Sequence, residues 1–142
     1  MNIRKYENTD IYALRDILDK DLGYNTELSA LTERVNKMIN CGNYHILVAC
    51  DNNKIVGFIS FVTFLAFEVK NECIKIIALA VSEKYRRQGI GTELLKAVEE
   101  YAGNNNIQTI SLNSGLIRKD AHFFYENNRY KIRAVLTALN SN

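Results

Sequence analysis

The stretch Arg86-Arg87-Gln88-Gly89-Ile90-Gly91-Thr92 separates a β-prone segment from a helical one, and its surroundings decide the fold. Residues 74–81 before it form an apolar, β-prone run that predicts a strand. Residues 92–102 after it carry apolar side chains at helical spacing, and residues 107–112 are again β-prone. A strand, a helix and a strand joined by connections of this length predict a right-handed parallel crossover.

The same stretch has the features of an anion-binding loop. Gly89 and Gly91 let the backbone curl so that successive N–H groups point outward, and a helix start offers further unpaired donors. The helix dipole adds roughly half a positive charge at that end, and Arg86 and Arg87 add their own charges. These features suit a pyrophosphate. A strand-to-helix turn with surface arginines is the alternative when the loop is taken by itself.

Two common phosphate-binding motifs do not fit this loop. A nucleotide P-loop ends in Gly-Lys-Ser/Thr, and Gly91-Thr92-Glu93 lacks the lysine. The dinucleotide fingerprint needs a third small residue, where Leu94 stands, and an acidic residue about twenty positions further on, which is missing. Both common motifs therefore fail on residues that their chemistry requires.

The remaining segments complete a mixed fold. Residues 11–18, after the capping residues Thr9 and Asp10, predict one helix, and a segment from Thr26 to Gly42 predicts a second. Strands are predicted at 44–50 and 55–64, joined by a turn at 51–54. A last helix is predicted at 119–127 and a last strand at 130–139. The predicted class is α/β (α+β), with a mixed, mostly antiparallel twisted sheet, a central parallel crossover and flanking helices.

Composition narrows the class of protein. The chain has 142 residues, 47% hydrophobic and 24% charged, which predicts one globular domain spanning residues 1–142. A net charge of +2 does not indicate a polyanion-binding protein. Cys41, Cys50 and Cys73 form neither a disulfide framework nor a zinc motif, so reduced thiols in the cytoplasm are expected. The longest apolar stretch, residues 55–67, is too short to span a membrane.

Two motifs resemble those of one family. Leu79-Ala80-Val81 followed by Arg86-x-x-Gly89-x-Gly91 closely resembles the acetyl-CoA signature of the GNAT superfamily of N-acetyltransferases. Ala121-His122-Phe123-Phe124-Tyr125-Glu126-Asn127 and Tyr130 resemble that family's C-terminal helix and the strand after it. The resemblance covers the element order of the whole chain, and it implies a GNAT fold with acetyl-CoA as co-substrate.

The resemblance also implies the contacts to acetyl-CoA. The loop amides cradle the CoA pyrophosphate in this family, and the end of the preceding strand, freed from its neighbour at a bulge, bonds the pantetheine and the acetyl carbonyl. The cofactor-binding residues implied in this way are Leu79, Ala80, Val81, Arg86, Arg87, Gln88, Gly89, Ile90, Gly91, Thr92, Asn113 and Tyr125. Alternatively, the side chains of residues 79–81 simply pack in the core of the strand. Both can hold, because the contacts to acetyl-CoA come from the backbone.

Tyr125 matches the family tyrosine that protonates or hydrogen-bonds the departing thiolate. Because a phenol has a pKa near 10 and a thiol a pKa near 8.5, outright proton transfer is uphill by about 2 kcal/mol, and hydrogen bonding to the developing charge is the predicted role. Core packing is the alternative role for Tyr125.

A base must also deprotonate the amine before attack. Lys75 stands about where some family members carry a glutamate that accepts this proton. Glu72 is a weak candidate for the base, and the alternative is that it is simply an exposed carboxylate at the end of the strand.

Two positions depart from the family pattern. Arg118 stands where the family frequently has an asparagine that contacts CoA, and Arg129 stands where a glycine usually precedes the last strand's aromatic residue. Asn113 or Ser114 is expected to supply the lost polar contact, unless both simply end their strand. Neither departure removes the pyrophosphate loop.

The expected function is transfer of acetyl from acetyl-CoA to a primary amine, on a small molecule or a peptide, directly in a ternary complex. A non-catalytic acyl-CoA-binding or sensing domain is the alternative. The acidic segment 19–24 either orients a cationic acceptor or is simply solvated. No metal, nucleic acid or membrane partner is expected, although Lys84 with Arg86 and Arg87 also fits a nucleic-acid patch. The last strand, 130–139, offers an edge for a homodimer.

Overall fold

The computed structural model describes residues 1–112. In chain order its helices and strands are β1 (Asn2–Lys5), α1 (Ile11–Asp21), α2 (Leu28–Cys41), β2 (Tyr44–Asp51), β3 (Lys54–Phe64), β4 (Cys73–Val81), α3 (Ile90–Asn104) and β5 (Thr109–Leu112). Short 3₁₀ turns at Asn8–Asp10 and Glu83–Tyr85 precede α1 and α3. The segments predicted within this range are confirmed, with ends that move by a few residues. The helix predicted at 119–127 and the strand predicted at 130–139 lie outside the described residues.

The five strands form one sheet in the order β1-β2-β3-β4-β5. Neighbours from β1 to β4 pair antiparallel, and β5 lies parallel to β4, which confirms the predicted meander, the parallel crossover and the mixed fold class. The turn between β2 and β3 holds Asn52 and Asn53 at φ 51° and 65°. Two-residue hairpin loops require these left-handed values, and asparagine tolerates them better than most residues do.

Helices cover both faces of the sheet. On one face Leu14 of α1 and Val35 of α2 are buried in a common core with Phe58 of β3. Since side chains of a strand alternate between faces, Phe61 lies on the opposite side from Phe58. The Phe61 ring contacts that of Tyr101 in α3, with centroids 5.2 Å apart, so α3 covers the second face. Over the first face, α1 lies on β3 and β4, and α2 lies on β2.

The start of α1 corrects one prediction. Asp10 precedes the helix, but its side chain makes no capping bond to the first turn. Its carboxylate instead accepts two bonds from the Arg4 guanidinium, at 2.7 and 2.9 Å, and a third from the Glu7 N–H at 2.7 Å. The Arg4 bonds hold the pKa of Asp10 below its ordinary value, against the opposing effect of burial. Arg4 reaches this position because it belongs to β1, a strand that the hydrophobic pattern did not predict.

Candidate functional site

The loop between β4 and α3 has the backbone shape of an anion site. Arg87 and Gly89 adopt left-handed φ values of 63° and 81°, so the chain turns twice before α3 begins. No side chain caps that helix end, and the bond from the Glu93 N–H to the Gly89 carbonyl, at 3.0 Å, opens the helical ladder. The amides of Ile90 and the two residues after it therefore have no partner within the helix. Residues 86–89 are exposed, so these donors lie beside accessible space.

Arg86 fastens this loop to the rest of the domain. Its Nε donates to the Val81 carbonyl at 3.1 Å, and its guanidinium lies 3.4 Å from the Asp21 carboxylate. Asp21 also accepts the Glu83 N–H at 3.0 Å. Arg87, in contrast, is exposed and forms no ion pair within residues 1–112. Arg87 is therefore better placed than Arg86 to meet a phosphate, although both assignments remain predictions.

The acidic segment 19–24, considered above as a site for a cationic acceptor, contains two carboxylates that bond within the fold. Asp19 accepts the backbone N–H of Thr26 at 3.0 Å, which closes the connection between α1 and α2. The Asp21 side chain is only 7% exposed and serves Glu83 and Arg86. These two carboxylates therefore stabilise the fold, and the predicted role of this segment in orienting a cationic acceptor stays a prediction.

The end of β4 pairs with β3 through a bulge. Ser60 faces Ala78 whereas Phe61 faces Ile76, so Ile77 is an extra residue in β4. Beyond the bulge, the predicted residues Leu79, Ala80 and Val81 continue in register with β3. The extra residue is 42% exposed although β4 lies between two other strands. The surface of the sheet is thus open at the point where β4 approaches the loop.

Gly57 of β3 allows a close approach at the same strand end. A Cβ atom at this position would lie 2.9 Å from the carbonyl oxygen of Ala80, closer than side chains normally approach backbone. Gly57 faces Val81, and the next contact along the strands is a bond from the Ser82 N–H to the Val56 carbonyl at 2.8 Å. The lack of a side chain at Gly57 therefore sets the path of β4 into the loop.

The remaining predicted site residues lie elsewhere. Glu72 is exposed and immediately precedes β4, so it stands at the opposite end of that strand from Val81, about 30 Å along the chain at about 3.3 Å per residue. That separation argues against a role for Glu72 at the strand end, and its role as a base remains only a prediction. Tyr125 and Asn113 lie outside the described residues, as do Arg118 and Arg129.

His45 has a packing role. Its ring stacks on Phe61 with centroids 4.8 Å apart, and its Nε2 lies 3.4 Å from the Tyr101 hydroxyl. Burial and the charge of Lys5 lower the pKa of His45, while the charge of Glu72 raises it. Across residues 1–112 no group of three or more histidine, cysteine or acidic side chains is arranged to hold a metal ion.

The sequence pattern gave no sign of the role of Asp21. It lies 65 residues before Arg86, and the charge run around it resembles an ordinary solvated loop. Only the tertiary fold, which brings the C-terminal end of α1 to the C-terminal end of β4, places the two side chains together. No local motif could have indicated this contact.

Comparison with known proteins identifies the family of this chain. The profile of the acetyltransferase (GNAT) family matches residues 11–129, so the chain belongs to that family. An aminoalkylphosphonate N-acetyltransferase of Salmonella typhimurium is 32% identical over 127 residues, which cover 88% of this chain and 80% of that protein. The chain is thus an acyltransferase of the N-acetyltransferase class.

Solved structures support the same architecture. A GNAT family acetyltransferase from Staphylococcus aureus has a TM-score of 0.73 and 31% identity, covering 80% of this chain and 86% of its own. An aminoglycoside N-acetyltransferase solved with CoA has a TM-score of 0.80, covering 92% of this chain and 87% of its own. Its sequence is 12% identical, so the similarity is one of fold. Among the described residues no helix is long and apolar enough to cross a membrane.

Proposed function

We propose that this protein transfers the acetyl group of acetyl-CoA to a primary amine. The observation that carries the proposal is the loop after β4, where Arg87 and Gly89 turn the backbone so that amides without a partner in the helix start α3 beside the exposed residues 86–89. Backbone donors at a helix start, with the exposed Arg87 beside them, fit a pyrophosphate. We take residues 1–142 as one N-acetyltransferase domain.

Each part of the proposed site has a distinct task. The amides of residues 87–92 hold the pyrophosphate, and the backbone of residues 79–81 aligns the pantetheine and the acetyl carbonyl. The amine nitrogen attacks the carbonyl carbon, the C–S bond breaks, and Tyr125 donates a hydrogen bond to the departing thiolate. The amine loses a proton during the reaction, and no described residue is assigned as its acceptor. Positioning both reactants in one ternary complex supplies most of the catalysis.

The acceptor is a small amine or a peptide amine. Small-molecule amines head the substrates to test, because the relative at 32% identity is named for acetylation of aminoalkylphosphonates. A non-catalytic acyl-CoA sensor is the second reading, since an intact loop binds acetyl-CoA whether or not turnover follows.

Two measurements in sequence test the proposal. Isothermal titration with acetyl-CoA measures binding, and release of free thiol against a panel of aminoalkylphosphonates, polyamines, aminoglycosides and peptides measures turnover. Binding with amine-dependent thiol release is the expected result. Binding without release on any amine favours the sensor, and no binding of acetyl-CoA overturns both readings. Affinity for DNA or RNA that falls steeply with salt would instead indicate a nucleic-acid module.

The setting of the enzyme is part of the proposal. Cys41, Cys50 and Cys73 are free thiols in the structure, and reduced thiols fit the cytoplasm. A homodimer formed through the last predicted strand, residues 130–139, is proposed from its alternating pattern. Sedimentation analysis of the wild-type chain and of a variant with a charged residue in that strand tests this assembly.

A further inference from the structure

Arg15 of α1 carries a charge that no carboxylate within residues 1–112 neutralises. Its Nε is buried and has no hydrogen-bond partner in the part of the chain that the structure describes. Two other arginines of the described chain are paired with carboxylates, Arg4 with Asp10 at 2.7 Å and Arg86 with Asp21 at 3.4 Å. A buried polar group without a partner costs free energy, so each one in a folded protein needs an explanation, and a bound ligand is one.

The expected helical partner of Arg15 is occupied elsewhere. Asp19 lies four residues further along α1, the spacing at which opposite charges normally pair on a helix. Its carboxylate instead accepts the Thr26 N–H at 3.0 Å. Within the described residues Arg15 forms no ion pair at all, and its side chain is only partly buried. The guanidinium therefore keeps donors that face accessible space.

The position of Arg15 on α1 directs it towards β4. One residue turns an α-helix by about 100°, so Arg15 lies on the flank next to the buried stripe that contains Leu14. Parallel crossovers such as β4–α3–β5 are right-handed in nearly all proteins. With that handedness, the strand order and the position of α2 over β2 place this flank of α1 on the side away from α2. On that side α1 borders β4, where Ile77 is exposed at the bulge.

We propose that Arg15 binds an anionic group on the acceptor, so that the substrate is a primary amine carrying a phosphonate, phosphate or carboxylate. The inference rests on the proposed function, because it assigns the acceptor half of that same site. A guanidinium presents a planar fork of donors that matches such oxyanions, and binding one supplies the partners that Arg15 lacks. An anion held beside β4 leaves the amine end of a short molecule to reach the strand end at residues 79–81.

The test compares three amines of similar length on four proteins. The amines are 2-aminoethylphosphonate, 3-aminopropanoate and n-propylamine, which differ in the phosphonate, carboxylate or methyl end. The proteins are the wild type, Arg15→Gln, Arg15→Lys and Arg34→Gln, the last removing the same charge from an exposed position of α2. Thiol release gives kcat and KM, and titration of 2-aminoethylphosphonate into the CoA complex gives affinity without turnover.

We expect the wild type to prefer an anionic amine over n-propylamine. Arg15→Gln should raise KM and Kd for that amine by about 10- to 100-fold, as expected when a charged hydrogen bond is lost, with kcat nearly unchanged. Arg15→Lys should recover part of the loss, and Arg34→Gln should match the wild type. The amine preferred by the wild type distinguishes phosphonate from carboxylate.

Two results would overturn the inference. One is equal affinity for both anionic amines in the wild type and in Arg15→Gln. The other is a wild type whose kcat/KM for n-propylamine equals that for the anionic amines. Titration with acetyl-CoA separates this failure from failure of the proposed function, because Arg15→Gln should bind acetyl-CoA like the wild type. Circular dichroism and thermal unfolding of each variant show that it is folded.

Discussion

The guanidinium of Arg86 lies 3.4 Å from the carboxylate of Asp21, and this contact joins the last residue of α1 to the loop after β4. The same carboxylate accepts the Glu83 N–H at 3.0 Å. Two elements far apart in sequence are thus held together at the edge of the proposed acetyl-CoA site. The contact links the helix that carries Arg15 to the loop that we propose holds the pyrophosphate.

Replacing Asp21 by alanine should loosen the loop. The Glu83 N–H and Arg86 both lose their acceptor, so we expect the free energy of unfolding to fall by about 1–2 kcal/mol. A less ordered loop should also raise the Kd for acetyl-CoA by up to about tenfold, or 1.4 kcal/mol. Urea denaturation and isothermal titration measure the two effects.

The matched control for Asp21→Ala is Glu33→Gln. It breaks the exposed pair between Glu33 and Lys37, whose atoms are 3.5 Å apart, and should change stability by less than about 0.5 kcal/mol. If Asp21→Ala binds acetyl-CoA as tightly as the wild type does, then Asp21 does not position the loop.

Gly89→Ala should weaken the loop through backbone strain alone. Gly89 has a φ of 81°, and a Cβ there would meet no atom within 4 Å. Left-handed backbone costs a residue with a Cβ about 1–2 kcal/mol, so stability and acetyl-CoA affinity should both decrease. Thermal unfolding and titration measure these changes.

Gly103→Ala provides the control on the same helix. Gly103 lies in α3 with no atom within 4 Å of an added Cβ and without a left-handed φ. Alanine there should raise stability by up to about 1 kcal/mol, since it is the better helix former. A Gly89→Ala protein as stable as Gly103→Ala would show that the left-handed turn is not required.

The Arg4–Asp10 pair should make stability depend on pH in the acid range. Because the pKa of Asp10 is lowered in the folded state, mainly by the Arg4 bonds, its contribution is complete above the unfolded-state pKa near 4. The contribution is lost as the pH falls through the lower, folded-state pKa. Asp10→Asn should cost about 2 kcal/mol at pH 7, and the gap from the wild type should narrow towards pH 2. Urea titrations at a series of pH values test this; a gap that does not change with pH would contradict it.

Tyr125→Phe should lower kcat and leave acetyl-CoA binding unchanged. Loss of a donor to the developing thiolate charge predicts a decrease of about 10- to 100-fold, with Kd for acetyl-CoA within about twofold of the wild type. Steady-state kinetics and titration measure the two quantities. Tyr44→Phe removes a hydroxyl at the start of β2, where Tyr44 faces Val62 at the other end of β3 from Gly57 and Val81, and it should have no effect. Normal turnover in Tyr125→Phe would remove that residue from the mechanism.

Local patterns predicted most of the described elements because each is encoded within a few residues. Gly42, expected to end a helix, adopts a φ of 80° after α2, and Asn52 and Asn53 form the predicted hairpin turn. The glycine loop was located by the same kind of local reasoning, since glycines before a helical run need no distant partner. These features are confirmed as backbone geometry.

Features that depend on distant partners were missed. The short strand β1 has an unremarkable sequence, and it forms because its backbone pairs with β2 from Asn2 opposite Cys50 to Lys5 opposite Leu47. Asp10 was expected to cap α1 and instead binds Arg4, which only that pairing brings near. Propensity is a weak guide to either, because tertiary contacts supply the energy.

The sequence by itself determined the family, the order of elements and the loop, because glycine spacing and hydrophobic period are local properties of the chain. Only the tertiary structure decided how the charges are distributed. It pairs Arg86 with Asp21, leaves Arg87 exposed beside the loop, and leaves Arg15 partly buried without a partner among residues 1–112. A charge's role depends on which groups the fold brings within a few ångströms of it. That is why three arginines alike in sequence differ in role.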